Sequence, residues 1–158
     1  MLLFVPLSFA TPWSTTLADV DPVLRRKIDA LIVALTAQGF TPTVSNTWRA
    51  PEVQGLLQLG GRATKAGPGE SCHNHVDAAG APASRAVDLW SRPMDLPLVL
   101  GASERLAEEA PFLRALGVEA HRLGLRWGGD WHGHPSAWNA WSLGWDPAHV
   151  ELGRCGGG

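Results

Sequence analysis

An α+β domain is the fold class predicted by three observations. There is a long amphipathic helix near the start, there are short β-like runs that do not alternate with helices in a regular βαβ rhythm, and the chain is long enough for one core. The 158 residues are 45% hydrophobic, which suits a single domain and is too little for two ordinary ones. Helices should therefore pack around a short sheet.

Asp21-Pro22 opens the first helix, because Asp caps well and Pro fits the first helical position. Leu24, Ile28, Leu31, Ile32 and Leu35 then recur at helical spacing up to Gly39, which is placed to end it. Residues 41–48 alternate and carry β-branched side chains, which predicts a strand delivering Arg49 at its end. A short helix over 51–59 follows. Residues 60–82 are rich in Gly, Ala, Pro and polar residues and predict a long loop; a loop of that length within a compact domain is a place to look for a site.

Residues 85–90 predict a strand with Val87 and Leu89 on one face and Ala86, Asp88 and Trp90 on the other. Residues 103–123 are helical in pattern, with Leu113, Leu116, Ala120 and Leu123 in one stripe and an interruption expected at Pro111. A Gly- and Trp-rich stretch, 127–145, leads to a closing strand at 149–152. The domain is expected over 17–152, with an N-terminal extension at 1–16 and a flexible Gly-rich tail at 153–158. Within that extension Met1 to Ala10 is a weak signal-like segment: it is apolar and ends in Ser8-Phe9-Ala10, which suits a small-residue cleavage site, but its apolar run is short and it lacks a basic start.

The formal net charge is -2 and no like-charge run exceeds Arg25-Arg26-Lys27, so nucleic acid is not an expected partner. No stretch approaches the roughly 20 apolar residues of a membrane span. Cys72 and Cys155 match neither a zinc-knuckle spacing nor a dense disulfide framework. The expected oligomeric state is a monomer.

Six histidines, His73, His75, His121, His132, His134 and His149, are candidates for a metal. A catalytic zinc site needs three N or O ligands and one open position. Asp88 interrupts an apolar strand, where an unpaired carboxylate would be costly. In Asp146-Pro147-Ala148-His149 the Asp and Pro suit the first two positions of a type I turn, which brings residues three apart within about 7 Å. Read locally, Asp88 is equally a solvated strand aspartate, and Asp146-Pro147 an ordinary turn.

Taken together, four segments resemble the zinc D-Ala-D-Ala carboxypeptidase and L-alanyl-D-glutamate peptidase family, which includes the vancomycin-resistance D,D-peptidases and several phage endolysins. They are 45–54, with Trp48-Arg49 before a helix carrying Gln54; Ser71-Cys72-His73-Asn74; Ala86-Val87-Asp88; and 124–131, with Gly128-Gly129-Asp130-Trp131, leading to Asp146-Pro147-Ala148-His149. Their order along the chain is more specific than any one of them. The resemblance implies a Hedgehog/D,D-peptidase-like α+β fold with a mostly antiparallel sheet. It also implies His73, Asp88 and His149 as Zn2+ ligands, and Asp146 as general base and then acid. Arg49 would be a catalytic cation that clamps substrate, with Gln54 and Ser71 as further substrate-side residues. The gap between histidine and aspartate is about seven residues in the family, whereas His73 and Asp88 are fifteen apart, so His75 and Asp77 are local rivals. Glu151 is the rival acid/base.

The activity implied is hydrolysis of D-amino-acid-containing stem peptides of bacterial peptidoglycan. The Asp at the acid/base position and the Gly-Gly-Asp-Trp segment tilt it towards an endolysin-like L-alanyl-D-glutamate endopeptidase; a D-alanyl-D-alanine carboxypeptidase and a catalytically silent wall-binding module are the alternatives. The protein would act on the cell wall, exported or released by lysis.

Overall fold

A computed structural model of the chain describes residues 12–60, 64–91, 103–132 and 137–155; the apolar start, residues 1–10, and His134 lie outside them. The elements are α1 (Pro22–Ala37), β1 (Thr43–Asn46), α2 (Pro51–Leu59), β2 (Ala86–Trp90), α3 (Ser103–Arg122), β3 (Arg126–Trp127) and β4 (His149–Glu151). The four strands form one antiparallel sheet in the order β1-β2-β4-β3. Helices and sheet make an α+β domain, as the sequence predicts.

Helix α1 begins where expected. The Asp21 carboxylate accepts from the backbone N–H groups of Val23 and Leu24, satisfying two otherwise orphaned donors. Its apolar stripe, Leu24, Ile28, Leu31 and Leu35, is completely buried. Helix α3 runs unbroken through Pro111, contrary to the interruption expected there. Phe112, Leu113 and Leu116 follow the proline and are fully buried. Packing of that face outweighs the roughly 3 kcal/mol penalty of an interior proline.

Val87, Leu89 and Val150 face these helices, in the same core cluster as the α1 and α3 side chains. The strand period of two then turns Asp88, His149 and Glu151 to the opposite face. Register completes the placement: Asp88 is directly opposite His149 on β4 and opposite Asn46 on β1, so the three stand in one row across the sheet. Strand β3, with Arg126 opposite Glu151, was not anticipated; it is only two residues long.

The segments flanking the domain, at residues 12–14 and at 155, are tied in more closely than the sequence suggests. Pro12 to Ser14, expected in the N-terminal extension, bond to the 47–50 segment: Ser14 N–H donates to the Trp48 carbonyl at 2.8 Å and Thr47 N–H to the Ser14 carbonyl at 2.8 Å. At the other end Cys155, expected in a loose tail, is disulfide-bonded to Cys72 across 83 residues. Among the described residues no helix is long and apolar enough to cross a membrane.

Candidate metal and hydrolytic site

Three segments bring His73, Asp88 and His149 together. The Ser71 hydroxyl accepts from the His73 N–H at 3.3 Å and caps a single 3-10 turn, Cys72–Asn74. Ser71 therefore acts on the backbone that carries His73. Asn74 extends the strap, donating from Nδ2 to the Arg49 carbonyl at 2.7 Å, while Arg49 N–H donates to the His73 carbonyl at 2.9 Å.

The donor atoms converge. His73 Nε2 and His149 Nδ1 stand 3.2 Å apart, and Asp88 Oδ1 is 3.2 Å from the first and 3.0 Å from the second. Ligating atoms of the three residues lie within 4.8 Å of one another, and this cluster can hold a metal ion. Two imidazoles and one carboxylate form a donor set that suits zinc and leaves coordination positions open. The outward atoms are fixed as well: His73 Nδ1 lies 2.5 Å from the Thr47 carbonyl, and His149 Nε2 lies 3.2 Å from Glu151 Oε2. Such partners select the tautomer and orient the ring. Asn46 Nδ2 donates to Asp88 Oδ2 at 3.0 Å, leaving Oδ1 turned to the histidines.

His75 and Asp77 do not join the cluster. Both are exposed; His75 Nδ1 lies 2.9 Å from the Ala83 carbonyl, and Asp77 accepts from the N–H groups of Ala79 and Ala81. The additional residues between His73 and Asp88 close on themselves through a Val76–Pro82 bridge and return the chain to β2. His121 is exposed and paired with Asp130 at 2.7 Å.

Asp146 reaches the site through its turn, with the His149 N–H donating to the Asp146 carbonyl at 3.1 Å. Its carboxylate lies 3.9 Å from His149 Nδ1 and is 32% exposed. Close backbone contact holds this turn. Gly144 N–H donates to the Gly129 carbonyl at 2.6 Å and Trp145 N–H to the Trp131 carbonyl at 3.0 Å. A Cβ at Gly128 would collide with the Asp146 carbonyl, so the glycines of Gly-Gly-Asp-Trp are needed for approach. Glu151, the rival acid/base, is 5% exposed and engaged with His149 and with the Arg126 guanidinium.

Charges follow from these surroundings. Burial pushes His73 down, and the attraction of Asp88 only partly opposes it. Burial also pushes His149 down, but hydrogen bonds to Asp88 and Glu151 prevail and hold its imidazolium up to about 10. For Asp88 burial raises the carboxyl, yet the two histidines outweigh it and hold it well below the usual range. Burial lifts Asp146 to about 7, against the attraction of His149 and with the repulsion of Asp88. A carboxyl poised there can exchange a proton near neutral pH.

Arg49 is buried, 7% exposed, with its guanidinium 4.8 Å from the Trp13 ring centre. Burial lowers its pKa, and Asp88 and Asp146 oppose that shift. Its Nη1 donates to Gln54 Oε1 at 2.7 Å. Gln54 itself is fully buried, and its Nε2 donates to Thr64 Oγ1 and to the Ala66 carbonyl. Gln54 thus stands behind Arg49, its amide engaged by Arg49, Thr64 and Ala66. Trp131, 5.1 Å from the His149 ring and 5.6 Å from Trp145, forms an aromatic wall beside the cluster.

Among solved structures, the LdcB LD-carboxypeptidase, whose structure addresses the molecular basis of peptidoglycan recognition, matches with a TM-score of 0.50 and 14% sequence identity. The fold is similar to that of LdcB. The match covers 87% of this chain and 59% of LdcB, so the chain spans less than two thirds of that structure. No family model matches the chain. No curated protein matches it either.

Trp13, Asn46 and Thr47 were missed by sequence reasoning. Thr47 acts through its carbonyl, which no side-chain pattern can announce, and Trp13 lies in the segment set aside as an extension. Asn46 had a weak signal, as an amide ending a strand that delivers Arg49.

Proposed function

We propose that this chain is a zinc metallopeptidase that hydrolyses D-amino-acid-containing stem peptides of bacterial peptidoglycan, with cleavage between L-Ala and D-Glu as the first assignment. The observation that carries it is the convergence of His73 Nε2, Asp88 Oδ1 and His149 Nδ1 beside a carboxyl poised near 7 and a buried guanidinium. The LdcB-like fold supports a cell-wall peptide as substrate. It also favours a second assignment, carboxypeptidase action, in which Arg49 holds the terminal carboxylate.

His73, Asp88 and His149 would hold the zinc. When bound, zinc lowers the pKa of a coordinated water from about 15.7 towards 7 and polarises the scissile carbonyl. Asp146 accepts the proton released as the water oxygen bonds to the carbonyl carbon, then delivers it to the amine nitrogen as the C–N bond breaks. Arg49, permanently charged and rich in donors, clamps a substrate carboxylate or the developing oxyanion. Glu151 and the Thr47 carbonyl keep the two imidazoles in register, and Ser71 holds the turn beneath His73.

Digestion of purified peptidoglycan, with new termini identified by mass spectrometry, tests the proposal and names the bond. Chelation is expected to abolish hydrolysis and zinc to restore it. Asp146→Asn should keep the metal and lose at least about 10²-fold in turnover. Undiminished hydrolysis by that variant, or none by the wild type with zinc bound, would refute the assignment.

A further inference from the structure

The aromatic wall leads outward from the metal ligands to a cation that the hydrolytic scheme leaves unused. Trp131 lies 5.1 Å from the His149 ring, Trp145 lies 5.6 Å from Trp131, and Lys65 Nζ sits 5.9 Å from the Trp145 ring centre. Trp145 also immediately precedes Asp146 in the chain. The rings thus form a tilted series from His149 through Trp131 to Trp145, and Lys65 stands over its last member.

The backbone around Lys65 is held down on both sides. Gln58 Nε2 donates to the Lys65 carbonyl at 3.2 Å, and Gln54 Nε2 donates to the Ala66 carbonyl at 2.8 Å and to Thr64 Oγ1 at 3.0 Å. Gln54 and Gln58 stand one turn apart on α2, so they grip the segment from the same helical face. Gln54 also binds Arg49, so one buried amide touches both the Arg49 guanidinium and the backbone flanking Lys65.

The two differ in kind. Arg49 is buried and stacked on Trp13, whereas Lys65 is exposed and, among the described residues, forms no ion pair. Arg126, the other cation over these rings, lies 5.6 Å from Trp131 and is already engaged by Glu151. An ammonium on a flexible stem, presented over an aromatic face with its donors free, suits a solvated carboxylate on a peptide laid along the rings.

We infer that Lys65 is a specificity-determining residue that seats a second carboxylate of the substrate, so that stem peptides with a free α-carboxylate on D-glutamate are preferred over those amidated there. This rests on the proposal that stem peptides are the substrate. It adds a charge requirement beside the scissile bond, since the carbon that bears this carboxylate also bears the nitrogen released when the L-Ala–D-Glu bond is cut.

Two synthetic pentapeptides, L-Ala-γ-D-Glu-L-Lys-D-Ala-D-Ala with the D-glutamate α-carboxyl free or amidated, test it by calorimetric binding to the zinc-loaded Asp146→Asn protein. The free acid is expected to bind about three- to fivefold more tightly. That preference should fall below about twofold when Lys65→Ala is added, survive in Lys65→Arg, and shrink between about 50 and 500 mM salt. Equal binding of the two peptides, or a preference untouched by Lys65→Ala, would overturn the inference. Turnover of the same peptides by the wild type reports separately on the hydrolytic assignment. Cleavage without discrimination removes the role of Lys65 alone; discrimination without cleavage removes hydrolysis alone; binding of neither peptide removes both.

Discussion

Zinc binding to this site should expel a proton, and the amount follows from the surroundings of one imidazole. In the metal-free protein His149 is held up to about 10 because Nδ1 faces Asp88 and Nε2 faces Glu151, two carboxylates that favour the doubly protonated ring. A zinc ion held by the proposed ligands would take Nδ1, so that proton would have to leave. His73 is pushed towards its neutral form and Asp88 towards its ionised form, so neither has one to give. Asp146, at about 7, contributes a fraction of a second proton near neutrality, since a nearby dication favours its ionised form. Roughly one proton per zinc is therefore expected at neutral pH, with a slope of about tenfold in apparent affinity per pH unit. The sign is fixed: a group with a raised pKa is protonated below that pKa and competes with the metal there. Affinity thus falls with acidification and climbs until the pH nears 10. Titration calorimetry in buffers of different ionisation enthalpy counts the protons, and chelator competition measures the slope. Glu151→Gln removes one of the two carboxylates and should flatten it. A zinc affinity that does not change between about pH 7 and 9, with no proton released, would refute the reasoning.

Gln54→Ala should cost about 2–4 kcal/mol in chemical denaturation, because the side chain is fully buried and its loss strips partners from Arg49, Thr64 and Ala66; peptide turnover should fall more than zinc content. Replacing Cys72 and Cys155 together by serine opens an 83-residue loop, worth about 4–5 kcal/mol of chain entropy. Denaturant midpoints of the two forms measure it, and equal midpoints would show that the bond adds nothing to stability.

Much of the fold was legible because it rests on local rules. Asp21-Pro22 starts α1 by capping chemistry, and alternation in β2 assigns Asp88 to the face opposite Val87 and Leu89. The four-residue turn before β4 likewise brings Asp146 and His149 to one place. What could not be read depends on contacts between distant segments. Pro111 continues a helix because its neighbours are buried. The two cysteines meet across 83 residues without any spacing signal. Gln54, a substrate-side residue by resemblance, gives no sign in the sequence that Arg49, Thr64 and Ala66 gather around its buried amide.

The excursion between the histidine turn and β2 has a consequence for how such sites are sought. It leaves at His75 and returns at Ala83, whose N–H donates to the His75 carbonyl at 3.0 Å, so its two ends are neighbours whatever lies between them. A search by fixed gaps measures contour length, whereas coordination measures proximity in space. Lengthening or trimming the residues beyond that closure would change the first and leave the second untouched, and chains of quite different ligand spacing can therefore present the same three donors.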